Sequence, residues 1–595
     1  MHKLKKIRRV TSLAKPILVF IVGFVFYLAQ SRGAKQNSGF IDPNIYSGLA
    51  IRYKGLISEL GVDYYSTRVW HLLPLKIAFE WFGYLGPVVH LGVLAGLTSM
   101  ITYKILDEVL PNQGPVLKFG YSLLAICVPS YFFDSMWTDE GISYIVSILA
   151  CLYFASNFMK SRRYLFASGF MAAVTVNIHL KGAGLIAVIG LSILLTGVLN
   201  KIDLKHVLLY LGGGSTAGVI VTELIFQFMN PKGFLPISWY YQVSLFLKLS
   251  RGTNGEWLGL WQLIQLGRFP VFVLAPIIGA LYLTAVARKF LPLEGKTVPS
   301  QIQVYWFFGI LGTIMLFIYQ EVLKFPVVTT FWYYGTFNIV LASLGVSILW
   351  LHYEGDFKGF QISSILFWVL PLATILPVWV ILPGSSLHVS QHRHQIVLIG
   401  VKLLLGIIVL LSILLATGRT KKIALVMLLL INCLAISQYG NRAVPFRWRA
   451  IGDFGIERSL FQDQIWLSDI WSKVNGSNAQ NDVAIWYEND PDGYLGSIQS
   501  ALIFADTRLT LANTIDNTSI SGWEAANGNL AAVIYIFQYG PSYNNVGSDE
   551  TINIFAHEGC IAYHRISGGP PNRPVLISPS WKIGALVLWC ESKSS

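Results

Sequence analysis

Residues 1–35 read MHKLKKIRRVTSLAKPILVFIVGFVFYLAQSRGAK, a basic head followed by an apolar run near 14–30. A run of that length suffices to cross a bilayer as an α-helix, which takes about 20 residues. The head looks like the n-region of a secretory leader. YLAQSRGAK, however, offers no convincing small-residue cleavage site, so the segment is expected to remain as an anchor. Lys3, Lys5, Lys6, Arg8 and Arg9 precede the run, which predicts a cytoplasmic N-terminus.

The same pattern recurs along the chain. Further apolar runs lie near 84–103, 116–133, 141–159, 164–180, 183–199, 207–228, 269–287, 303–320, 331–351, 361–382, 395–417 and 423–439, giving thirteen candidate spans. Composition agrees: 54% of residues are hydrophobic and only 13% charged, against about 25% charged in a soluble domain. The net charge of +13 does not point to nucleic acid, because many basic residues sit in short turns. Examples are Lys160-Ser161-Arg162-Arg163, Arg288-Lys289 and Arg419-Thr420-Lys421-Lys422. With alternating loops, inside segments hold roughly 18 Lys and Arg in about 65 residues, and outside loops roughly 13 in about 124. An odd number of spans then places residues 440–595 outside. The expected fold is mostly α: a polytopic transmembrane helical bundle of about 13 spans over 1–439, followed by a soluble extracytoplasmic α/β domain over 440–595.

Short β-rich runs mark that second region: VAIWY (483–487), AAVIYIF (531–537), TINIF (551–555) and ALVLW (585–589). Turn formers such as Asn489-Asp490-Pro491-Asp492-Gly493 separate them. Ser459 to Ser472 reads as an amphipathic helix. Cys127, Cys151 and Cys433 fall in apolar runs and read as packing residues. Cys560 and Cys590 lie where an oxidising compartment would permit a bridge. In the first outside loop, 31–83, the stretch NIYSGLAIRYKGLISEL (44–60) puts Ile45, Leu49, Leu56, Ile57 and Leu60 on one helical face. That face suits either the membrane surface or the protein's own core.

Charged side chains inside a span are costly and mark transport pathways. Here Glu223 is nearly alone, and acids gather instead at the outer ends of the spans. One cluster is Gly39-Phe40-Ile41-Asp42-Pro43-Asn44, the other Asp134-Ser135-Met136-Trp137-Thr138-Asp139-Glu140. A carboxylate at such a boundary serves as general base for a hydroxyl or holds a divalent cation. Equally, Asp42-Pro43 reads as a helix N-cap, and Asp139 and Glu140 as acids complementing a helix start. Arg68, Lys181, Arg251, Arg268, Lys324 and Arg393 lie on the same side and suit phosphate. The histidines of His388-Val389-Ser390-Gln391-His392-Arg393-His394 do not by themselves supply a whole metal site.

An inside N-terminus, one span, an Asp-Pro early in a long first outer loop and an acidic pair in the second resemble the GT-C superfamily of polytopic membrane glycosyltransferases. Tyr64-Tyr65-Ser66-Thr67-Arg68-Val69-Trp70-His71-Leu72-Leu73-Pro74 also looks like that family's first loop. The resemblance is detailed over residues 1–200 and architectural beyond, where it is similar to the oligosaccharyltransferase and arabinofuranosyltransferase branches. The oligosaccharyltransferase signature Trp-Trp-Asp is absent, and Gly522-Trp523-Glu524 does not replace it. The resemblance implies an inverting transfer of a sugar from a polyprenyl-phosphate carrier in the bilayer to a glycan, lipid or protein acceptor. It implies Asp42 as catalytic base, with Asp139 and Glu140 supporting it. Arg68, Lys181, Lys324 and Arg393 would bind substrate phosphate, and Mg²⁺ or Mn²⁺, if used, would sit on Asp42 and Asp139. The implied location is the inner membrane, with the C-terminal domain extracytoplasmic and no nucleic-acid partner.

Other classes predict other residues. A polysaccharide polymerase or ligase would depend on Arg393 or His394 rather than Asp42. A transporter or flippase would need polar residues at mid-membrane, and a scaffold would need only the C-terminal region.

Overall fold

A computed structural model describes residues 2–31, most of 46–127, 140–180, 182–230, 238–244 and eight short strands between 447 and 589. Its helices are α1 (His2–Ser31), α2 (Val69–Phe82), α3 (Gly86–Val109), α4 (Pro115–Cys127), α5 (Gly141–Ser156), α6 (Arg162–Ile178), α7 (Gly182–Leu199) and α8 (Leu204–Met229). Among the described residues, three helices are long and apolar enough to cross a membrane: Gly86–Glu108, Gly182–Leu199 and Leu204–Met229. Ala14–Ala29 and Gly141–Ser156 are shorter apolar helices. The chain is a multi-pass membrane protein. The candidate spans from 269 onward lie outside the described residues.

The sequence marks the helix boundaries. α6 follows Ser161, whose side chain accepts from the backbone N–H of Arg163, and α8 follows Asp203, which accepts from that of Lys205. Neighbours in space fix the directions. Gly169 faces Leu211 and Ser215, and Gly218 faces Ala173, so α6 and α8 run parallel. Their backbones touch: a Cβ on Gly214 would lie 2.0 Å from the Phe166 carbonyl oxygen. Small residues let apolar helices approach this closely where lipid offers no hydrophobic drive. α5 runs antiparallel to α6, with Cys151 against Ser168 and Tyr153 against Tyr164. Cys151 is buried and free, as its apolar run predicts.

The segment between α1 and α3 folds onto this bundle. Helical residues 46–51 and Tyr53 and Ile57 join Val69, Leu72, Leu75 and Phe79 of α2 and Phe226 and Met229 of α8 in one buried cluster. Leu49 and Ile57, expected on a shared apolar face, thus cover the protein's own core and not the membrane surface. Tyr46, Ala50 and Tyr53 extend that face. α2 itself, which the sequence shows only as a run-up to the second span, is a separate helix. A Cβ on Gly86 would meet the Ala78 carbonyl at 2.7 Å, so only glycine allows the tight corner into α3.

In the C-terminal region the strands are β1 (Arg447–Trp448), β2 (Gly452–Asp453), β3 (Val483–Tyr487), β4 (Thr514–Ile515), β5 (Ala532–Gln538), β6 (Ala562–His564), β7 (Val575–Ser578) and β8 (Ile583–Trp589). β1 pairs with β2, and the other six form a mixed sheet in the order β4-β3-β5-β8-β6, with β7 also on β8. β3 runs parallel to both β4 and β5, whereas β8 is antiparallel to β5, β6 and β7. Parallel pairing demands a long crossover, which 488–531 supplies. TINIF, Cys560, Cys590 and the helix expected near 459–472 lie outside the described residues.

Candidate functional site

The described part of the site begins at the start of α2. Arg68 is its N-cap residue, since the Arg68 carbonyl accepts from Leu72 N–H at 3.0 Å. Its side chain does not turn back to cap the helix. It pairs through Nη1 with Oε1 of Glu140, and both residues are buried, 3% and 7% exposed. The guanidinium also stands over two rings, 5.4 Å from the Tyr46 centroid and 5.7 Å from that of Tyr65. Glu140 is the N-cap residue of α5, yet it makes no side-chain cap hydrogen bond. Its carboxylate reaches Arg68, just ahead of α2, from the positive end of α5.

Other polar groups converge on the pair. His179, just past α6, puts Nε2 3.7 Å from Oε1 of Glu140, and its ring lies edge-on to Tyr144. His71 Nδ1 is 2.9 Å from the Ser143 hydroxyl, with the rings of Tyr46 and His90 against it at 4.8 and 5.9 Å. Asn177 donates to the Thr67 carbonyl at 2.9 Å. Gln242 donates to the Thr67 hydroxyl at 3.3 Å and to the Asn177 carbonyl at 3.1 Å. Glu223, the acid near the end of a span, accepts from the backbone N–H and hydroxyl of Ser238, which holds helical residues 238–244 on α8.

Every one of these groups lies at the same end of the bundle, the starts of α2, α3, α5 and the ends of α6 and α8. The opposite end carries Asp107 with Lys118 at 2.6 Å, and Glu108 with Lys160. Buried ionisable groups this close to a bilayer persist when paired and hydrogen-bonded. Arg68 and Glu140 are ion-paired, 72 residues apart in the chain but side by side in space. The arrangement can orient a polar or anionic ligand at one membrane boundary, with a fixed cation, a carboxylate and two imidazoles in one group.

Of the residues expected at the site, Arg68 and Glu140 are brought together. Asp42, Asp139, Lys181, Lys324 and Arg393 lie outside the described residues. Among the described residues no group of three His, Cys, Asp or Glu side chains suits a metal ion, and Glu140 faces a cation already. His71, Asn177, His179 and Gln242 escape a reading of the sequence. The available signal was polarity in the last turn of an apolar run, as in Asn177-Ile178-His179, beside the singled-out Lys181.

No family model and no curated protein matches the chain. Among solved structures, ArnT from Cupriavidus metallidurans in the apo state is 13% identical, with 98% of each chain covered and a TM-score of 0.47. The same protein bound to undecaprenyl phosphate matches at 11% identity, 96% and 97% coverage and a TM-score of 0.43. The apo oligosaccharyltransferase of Archaeoglobus fulgidus is 12% identical over 87% of this chain and 69% of its own, at a TM-score of 0.44.

Proposed function

We propose that the chain is a membrane glycosyltransferase. It would move a sugar from a polyprenyl-phosphate carrier to an envelope glycan, lipid or protein acceptor at the outer face of a bacterial inner membrane. The supporting observation is the buried contact of Arg68, from the first outer loop, with Glu140, from the second. A transporter needs its charges along a pathway at mid-membrane. Here the described buried ion pair stands at the end of the helices, and Tyr46 and Glu140 at it are four and one positions in sequence from Asp42 and Asp139.

In this reading Asp42 removes the proton of the acceptor hydroxyl as that oxygen attacks the anomeric carbon. The carrier phosphate departs from the opposite face, so the anomeric configuration inverts. Cations near the departing phosphate lower the barrier by neutralising developing charge. Lys181, Lys324 and Arg393 are the proposed phosphate ligands. Arg68 joins them only by sharing itself with Glu140, so its first task is to hold the two loops together. Thirteen spans over 1–439, a cytoplasmic N-terminus and an extracytoplasmic 440–595 domain complete the proposal. That domain would recognise the acceptor or brace the outer loops.

The test is Asp42→Asn, assayed for sugar transfer from lipid-linked donors in membranes. Asparagine keeps an N-cap acceptor but loses the basic carboxylate, and general-base catalysis is worth about 10² to 10⁴ in rate. Transfer should fall by that factor while expression and insertion persist. Near-wild-type transfer would reduce Asp42 to a helix cap and pass the role of base to Asp139. Near-wild-type transfer by Asp139→Asn as well would end the glycosyltransferase reading.

A further inference from the structure

The start of α2 poses a physical problem. Ser, Thr, Asp and Asn are the favoured N-cap residues because a short side-chain oxygen can accept from the first turn. Arg68 has no such oxygen, and its side chain is drawn away to Glu140. Something else must fix where the helix begins, and with it where the guanidinium stands.

Thr67 is that point. Its carbonyl accepts from Val69 N–H at 2.9 Å and from Asn177 Nδ2 at 2.9 Å, and its hydroxyl accepts from Gln242 Nε2 at 3.3 Å. Gln242 also donates to the Asn177 carbonyl at 3.1 Å, so two amide side chains and one threonine form a closed triangle. Thr67, Asn177 and Gln242 are each fully buried. Both amide orientations are forced, because each nitrogen faces a backbone carbonyl that can only accept. Gln242 itself stands on helical residues 238–244, whose first residue is tied to α8 by Glu223. The short helix over 238–244 is thus secured at two points, and the second holds the residue before Arg68.

We propose that Gln242 is a positioning residue for Arg68. Acting through Thr67 and Asn177, it makes helical residues 238–244 part of the machinery that sets the Arg68–Glu140 pair. The geometry stands by itself, and its bearing on carrier binding rests on the transferase reading above. Gln242→Glu is nearly isosteric but removes both N–H donors and sets an acceptor against the Asn177 carbonyl.

The experiment uses the full-length chain in detergent or nanodiscs. Phenylglyoxal modification of Arg68 is mapped by mass spectrometry, with alkylation of the buried Cys151 as the monitor of general loosening. Losing a buried hydrogen bond at this point should raise Arg68 labelling about tenfold in Gln242→Glu and in Thr67→Val. Thr67→Ser keeps the hydroxyl and should stay within about twofold, and Cys151 should remain protected throughout. Unchanged Arg68 labelling in Gln242→Glu overturns the proposal, as does labelling that rises only together with Cys151 alkylation. A second readout is binding of undecaprenyl phosphate. Gln242→Glu should weaken it when Arg68 is present and add nothing in an Arg68→Lys background. Equal losses in both backgrounds overturn the coupling to Arg68. A wild-type chain that ignores this probe refutes carrier binding, while the labelling result still decides the positioning role.

Discussion

At one end of the bundle Arg68 meets Glu140 with side chains 4% and 9% exposed; at the other, Lys160 meets Glu108 with 47% and 31% exposed. The chemistry of the two pairs is alike, and their surroundings set their worth. An exposed pair is screened by water and ions and contributes little. A buried pair has already lost its hydration, so each partner depends on the other. The acids at helix starts repeat the contrast. Asp203 caps α8 by accepting from Lys205 N–H at 2.9 Å, whereas Glu140, in the same position on α5, makes no side-chain cap and reaches Arg68 ahead of α2 instead. One end is finished for folding, and the other gives up local helix stability to hold a cluster in place.

Glu140→Ala should break this comparison hardest. It leaves Arg68 buried without its carboxylate, a loss of about 3–5 kcal/mol in comparable cases. Thermal unfolding in detergent should show a large fall, with Glu140→Gln milder because the amide oxygen still accepts from Arg68. Equal midpoints for wild type and Glu140→Ala would mean that the pair is dispensable. Next comes the interior that joins the ends. Gly214→Ala would place a methyl 2.0 Å from the Phe166 carbonyl oxygen. Forcing α6 and α8 apart should cost about 1–3 kcal/mol, read as a lower melting temperature. A neutral substitution would show that the helices separate freely.

The contrast between the ends was partly legible in the sequence. Alternating runs and Lys160-Ser161-Arg162-Arg163 locate α5 and α6 to within a few residues, because apolar length and basic turns are local signals. Arg68 and Glu140 were each singled out, one as a phosphate ligand and one as a supporting acid. Their pairing was not visible, since sequence gives residue types and no distances across 72 positions. Asn177 and Gln242 were invisible for a related reason. An amide in an apolar helix reads as a polar interruption until its partner, here Thr67, is known.

Lys160→Ala offers the matching test at the opposite end. Removing an exposed partner of Glu108 should change stability by about 0–1 kcal/mol, and less in high salt. A loss as large as that of Glu140→Ala would show that exposure does not separate the two ends.

The smallest effect should come from Asp203, and it is the sharpest check on why acids stand at helix starts. Its carboxyl is held below the ordinary value of 3.8, first by the Lys205 backbone N–H and then by His206 Nδ1 at 2.6 Å. A depressed folded-state pKa means that the folded chain binds this proton less readily than the unfolded chain. The stabilisation is therefore present above the unfolded value and is lost as pH falls through the folded one. Between neutral pH and about pH 4 the wild-type contribution should be flat, and below that it should fade. Asp203→Asn keeps an acceptor for Lys205 N–H but has no charge to place at the positive end of α8. Its melting temperature should lie slightly below wild type at neutral pH, and the gap should close in acid. A gap that persists unchanged at low pH would assign the effect to packing, and the cap would then owe nothing to its charge.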